Sequence, residues 1–95
     1  MEIHWTNNAE EHLDSIFVYI SKNSEDYAIR TVDRLTKRSI QISKFPYSGR
    51  IVPEYENEKI REVIEGSYRI IYFIKNDQID ILAVIHGAQL LEGNL

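Results

Sequence analysis

The stretch "IREVIEGSYRIIYFIKNDQIDILAVIH", residues 60–86, decides the fold. Isoleucine, valine, tyrosine and phenylalanine dominate it, and Gly66-Ser67 and Asn76-Asp77 interrupt it at two points suited to tight hairpins. The pattern predicts three strands in an antiparallel meander. If both turns have two residues, Glu65 faces Tyr68, Ile64 faces Arg69 and Lys75 faces Gln78, and period-2 alternation then assigns every side chain to a face. One face carries Val63, Ile70, Tyr72, Ile74, Ile79, Ile81, Ala83 and Ile85, with Arg61 and Tyr68 at its margin; this is the expected core. The other sets Arg69, Glu62, Asp80 and His86 among Ile60, Ile64, Ile71, Phe73, Leu82 and Val84.

Upstream of the meander the period changes. "MEIHW" alternates as a short half-buried strand, and "TNNAEE" supplies capping residues and first-turn acids. Ala9, Leu13, Ile16, Phe17 and Ile20 then recur at helical spacing, predicting a helix over residues 8–22. "SKNSED" breaks it, Ser24 caps again, and Ala28, Val32, Leu35 and Ile42 stripe a second helix over 25–44, which Pro46 ends. Arg30, Arg34, Lys37 and Arg38 share the opposite face of that helix. A solvated surface accounts for them; so does contact with an acidic protein or with nucleic acid. "PYSGRIVPEYENEK" reads as an ordered loop, with Glu54, Glu56 and Glu58 solvated. Trp5 and Phe17 are most simply core aromatics.

The fold class is therefore α+β: an N-terminal strand, a helical hairpin, then a three-stranded antiparallel meander, in one domain spanning residues 1–95. A chain this short has room for one core, burying roughly 60–70% of its unfolded surface. It contains no cysteine, so a reducing, cytoplasmic compartment is expected. The N-terminus lacks the basic and apolar segments of an export signal, and the run "ILAVI" is too short to span a bilayer, so no membrane role is expected. A net charge of −4 argues against general binding to polyanions.

Two short-linked helices cover one face of a small sheet, so the mixed face is expected to stay partly open, as a groove centred on Arg69. The C-terminal tail or a second subunit could instead cover it, and Arg69 could simply pair with Glu62, its diagonal neighbour. As a ligand-binding group, Arg69 can hold phosphate or carboxylate but cannot move a proton. His86 and Glu62 are the candidates for proton transfer, with Tyr68 on the other face. His86 also reads as a polar residue that ends a strand, and His4 and His12 receive no role. Nucleotide-binding, zinc-hydrolase and serine-hydrolase motifs are missing, so neither a cofactor nor a metal is expected.

The chain resembles the RelE/ParE superfamily of toxins from bacterial type II toxin-antitoxin systems. The resemblance rests on Trp5, Ala9 and Leu13, on "FPYSGRIVPE" at 45–54, "IREVIEGSYRIIYFI" at 60–74 and "IDILAVIHG" at 79–87. It implies a toxin neutralised by a cognate antitoxin, which would also carry any contact with operator DNA, and a role in growth inhibition and plasmid stabilisation. In the RelE branch the arginine of the Y-R strand motif, matched by Arg69, serves ribosome-dependent cleavage of mRNA. Here the lysines expected on the preceding strand are missing from "IREVIE", and Gln89 stands at the C-terminal basic position. The long hairpin, the P-x-x-G-R loop and the H-G ending are closer to the ParE branch, which implies a non-enzymatic inhibitor of DNA gyrase. In the ribonuclease alternative the catalytic set is Arg69, His86 and Glu62; a further alternative is a catalytically inactive toxin homologue that acts only in antitoxin and operator complexes. As a binding protein the chain would meet its partner through Arg61, Arg69, Ile71, Phe73, Leu82 and His86, and Arg69→Ala would leave the fold intact.

Overall fold

The computed structural model describes residues 1–87. The chain runs β1 (Glu2–Trp5), α1 (Asn7–Ser21), α2 (Glu25–Lys44), a single 3₁₀ turn (Pro46–Ser48), β2 (Arg50–Ile51), β3 (Ile60–Glu65), β4 (Tyr68–Ile74) and β5 (Gln78–His86). Both helices begin where the sequence places a capping side chain. The Thr6 hydroxyl accepts from the Ala9 N–H and the Ser24 hydroxyl from the Tyr27 N–H, each satisfying a donor that the first turn leaves unpaired. Ala28, Thr31, Leu35, Ser39 and Ile42 form the buried stripe of α2. The two hydroxyls in that stripe tolerate burial because they donate to the Tyr27 and Thr36 carbonyls within the same helix.

Among the described residues the sheet has five strands in the order β1-β5-β4-β3-β2. The meander is its centre. β1 joins parallel to β5, with Ile3 opposite Ile79 and Trp5 opposite Ile81, and β2 joins antiparallel to β3. β2 is a strand where the sequence reads as loop; two residues carry too little periodicity to signal one. At the first hairpin Gly66 holds a φ of +59° at the first turn position, a conformation natural to glycine in a type II′ turn. Glu65 faces Tyr68 and Ile64 faces Arg69, as the pattern predicts.

The second hairpin starts in the expected register and then departs from it. Tyr72 faces Ile81, but Ile71 faces Ala83, so Leu82 is an extra residue on β5. Such a bulge reverses the side-chain alternation beyond it. Val84 consequently enters the core under the helices, beside Leu35, Ile70, Tyr72 and Ile81. Ala83 and Ile85, expected in that core, lie on the opposite face with Val52 and Ile71. His86 moves with Val84 to the helix side, where it faces Tyr68.

The mixed face is not open. The segment from β2 to Tyr55 folds across it, and Val52, Tyr55, Ile60 and Leu82 build a second apolar cluster over Ile71 and Ala83. Both faces of the central strands are thus covered. Burial on both sides also explains why the run from Ile81 to Ile85 is continuously apolar.

Candidate functional site

Tyr72 is fully buried, and its hydroxyl ties the 45–50 loop to the sheet. It donates to the Pro46 carbonyl at 2.6 Å and accepts from the Gly49 N–H at 3.1 Å. Burial pushes its ionisation above the usual tyrosine range, against the opposing hydrogen bond from Gly49. A β-carbon on Gly49 would lie 2.4 Å from that hydroxyl and 2.6 Å from the Glu62 carbonyl, so the close approach of backbone to sheet requires glycine. Arg61 adds a clamp: it donates to the Glu58 carbonyl at 2.8 Å and the Gly49 carbonyl at 3.1 Å, and lies over the Tyr47 ring at 5.1 Å. The P-x-x-G-R and YRIIY stretches are therefore two halves of one structural joint.

This joint positions a chain of alternating charges. Arg50, opposite Glu62 across β2 and β3, pairs with one oxygen of that carboxylate. Arg69, projecting from β4 on the same side, approaches the other oxygen through Nε at 2.7 Å and Nη2 at 2.6 Å. Glu54 then grips the outer edge of the Arg69 guanidinium with both oxygens, at 3.1 and 2.9 Å. The Glu62 side chain is 0% exposed and that of Arg69 7%. The hydrogen bond to Glu54, opposed by desolvation and aided by Glu62, holds Arg69 above its ordinary pKa. Among the described residues the two cations and two carboxylates of the cluster balance.

Of the residues expected to form a site, Arg69 and Glu62 are brought together. His86 is not among them, because the bulge sets it on the far side of the sheet, where its ring meets that of Tyr68 edge-on at 6.1 Å. Ile71 lies fully buried under the second apolar cluster. Phe73 and Leu82 keep partial exposure, and Arg61 is engaged in holding the loop. Glu54, expected to be solvated, is instead a bidentate partner of Arg69. Gln89 lies outside the described residues. A shallow cavity of about 340 Å³ over the cluster is bordered by Arg50, Pro53, Glu54, Ile64, Arg69 and Gly87.

Sequence reasoning missed Arg50, Glu54 and His12. The first two are brought to Glu62 and Arg69 by a loop whose path no periodicity reveals. His12 matters because the bulge turns the Val84 N–H away from the ladder, and His12 Nδ1 accepts it at 3.2 Å. Asn8 donates to the Leu82 carbonyl and the Thr6 hydroxyl to the Ile81 carbonyl, at 2.9 and 2.8 Å. Side chains of the β1–α1 corner and α1 thus serve the edge of β5 where β1 has ended.

The comparisons with known proteins agree with this architecture. The model of the family described as "ParE toxin of type II toxin-antitoxin system, parDE" matches residues 3–91. "Putative toxin Y4kP" of Sinorhizobium fredii is 35% identical over 89 residues, covering 92% of this chain and 88% of the relative. Among solved structures, a chain of the chromosomal ParDE toxin-antitoxin system from P. aeruginosa superposes with a TM-score of 0.74 at 21% identity, covering 90% of this chain and 95% of its own. A chain of the RelBE2 toxin-antitoxin complex from Mycobacterium tuberculosis gives 0.68 at 19% identity, with coverage of 90% and 95%. At such identities the two structures speak for the fold, while the family model and the Sinorhizobium relative speak for descent. With its strand, helical hairpin and meander in this order, the chain belongs to the ParE toxin family of type II toxin-antitoxin systems.

Proposed function

We propose that this toxin acts on a protein target, DNA gyrase, without cutting RNA, and that a cognate antitoxin neutralises it. The observation that carries this reading is the engagement of Arg69. A ribonuclease needs that cation to meet the scissile phosphate and stabilise the charge that develops there. In this chain Glu54 takes the outer edge of the guanidinium and buried Glu62 takes its inner side. A phosphate would have to displace a charge-assisted bidentate pair beside a second carboxylate, against like-charge repulsion. His86, the imidazole expected to move a proton, projects from the other face of the sheet.

Antitoxin binding suits the cavity beside the cluster, where Ile64 is half exposed and Arg50 largely so. A flexible antitoxin segment that orders on binding would reach the rim of Arg69 there, with Ile64 as its apolar contact. Operator DNA enters this reading only through the antitoxin. The test is a supercoiling assay with purified gyrase and toxin. Inhibition with accumulation of cleaved DNA complexes is expected; full supercoiling at a large molar excess of toxin would overturn the proposal.

A further inference from the structure

The outer face of α2 carries a second feature, on the other face of the sheet from the Arg69 cluster. Arg34, Lys37, Arg38 and Lys44 border a groove of about 530 Å³, with Glu65 its only carboxylate among the described residues. Four cations against one acid make this patch strongly positive on a chain whose net charge is −4. Its cations are incompletely paired. Glu65 stands 3.8 Å from the Nε of both Arg34 and Arg38, beyond hydrogen-bond distance for each. Arg38 donates through Nη1 to the Gln41 side-chain oxygen while its buried Nε makes no hydrogen bond among the described residues, and Lys44 has no ion-pair partner there. Lys37 alone is closely paired, with Asp33 one helical turn away at 2.8 Å.

Two apolar side chains sit among these charges and face water: Ile40 is 52% exposed and Phe45 63%. We infer that this groove binds an acidic amphipathic segment of a protein partner, with carboxylates on Arg34, Arg38 and Lys44 and one apolar side chain between Ile40 and Phe45. Electrostatic complementarity supplies the sign of the partner, and the exposed apolar pair supplies its second property. Nucleic acid fits less well. Phosphate affinity grows with the number of phosphates that Lys and Arg neutralise, and the groove offers only four cations on a chain whose net charge is −4.

The test uses the full chain labelled with ¹⁵N and three probes. One is a synthetic ten-residue peptide with six glutamates around a Leu-Phe pair, the second has glycine in place of both apolar residues, and the third is the oligonucleotide dT12. The first peptide is expected to shift amides of residues 34–45, and the glycine peptide to bind at least about fivefold more weakly, as loss of the apolar side chain between Ile40 and Phe45 requires. Lys37→Glu/Lys44→Glu, both at exposed positions, should weaken the first peptide by about tenfold or more while leaving the remaining spectrum in place. The inference is overturned if millimolar peptide leaves residues 34–45 unshifted, or if the two peptides bind equally. It is also overturned if dT12 binds these residues more tightly than either peptide.

Discussion

Replacing Arg69 by methionine removes the inner cation of the charge cluster and strands a fully buried carboxylate. Removing one partner of a buried ion pair costs about 3–5 kcal/mol. Here Glu62 keeps Arg50, whose side chain is 66% exposed, and Glu54 can turn toward water, which brings the expected loss to about 2–3 kcal/mol. The double variant Arg69→Met/Glu62→Leu removes both buried charges and leaves only groups that can hydrate. It should return to within about 1 kcal/mol of the parent. Urea unfolding followed by circular dichroism separates the two. With a slope of about 1–1.5 kcal/mol per molar for a small domain, the single variant should unfold about 2 M earlier and the double variant less than about 1 M earlier. A single variant within about 0.5 kcal/mol of the parent would refute the reasoning. So would a double variant no more stable than the single.

Three further outcomes follow from individual contacts. Gly49→Ala should cost about 3 kcal/mol or prevent folding, and adding Tyr72→Phe should not rescue it, because the Glu62 carbonyl still lies 2.6 Å from the new carbon; thermal unfolding of both variants checks this. His12→Leu should cost about 1–2 kcal/mol by orphaning the Val84 N–H, and native-state hydrogen exchange should quicken first at that amide. Burial raises the Asp80 carboxyl pKa, but the hydrogen bonds from Lys75 and Gln78 and the nearby charges outweigh it and leave the group below its ordinary value. Its stabilisation is therefore present above the unfolded pKa of about 3.9 and lost as pH falls through the lower folded value. Asp80→Asn should flatten the stability profile below about pH 4 when urea midpoints are measured against pH.

The first hairpin was legible because Gly66-Ser67 forces one register and the alternation of residues 60–74 agrees with it. The helices were legible from Thr6, Ser24 and Pro46, whose roles are local. What could not be read is the bulge at Leu82. An apolar run covered on both faces gives the same pattern with or without an inserted residue, so strict alternation places Val84, Ala83, Ile85 and His86 on the wrong sides. The covering of the mixed face was hidden for a different reason. Val52 and Glu54 reach it through a loop, and the charge that looks solvated in "PEYENE" is decided by where Arg69 waits in three dimensions. Arg69 itself was found, together with Glu62, but as a charge on an open face; its 7% exposure makes it an internal tie between loop and sheet.

Gyrase inhibition by the Arg69→Met/Glu62→Leu variant tests most directly whether the Arg69 charge is structural or chemical. If the toxin inhibits gyrase as proposed and the guanidinium serves the fold alone, the variant without the buried pair should unfold near the parent and inhibit supercoiling within about threefold of it. A variant equally stable but without inhibition would place Arg69 in the action of the toxin and contradict the account.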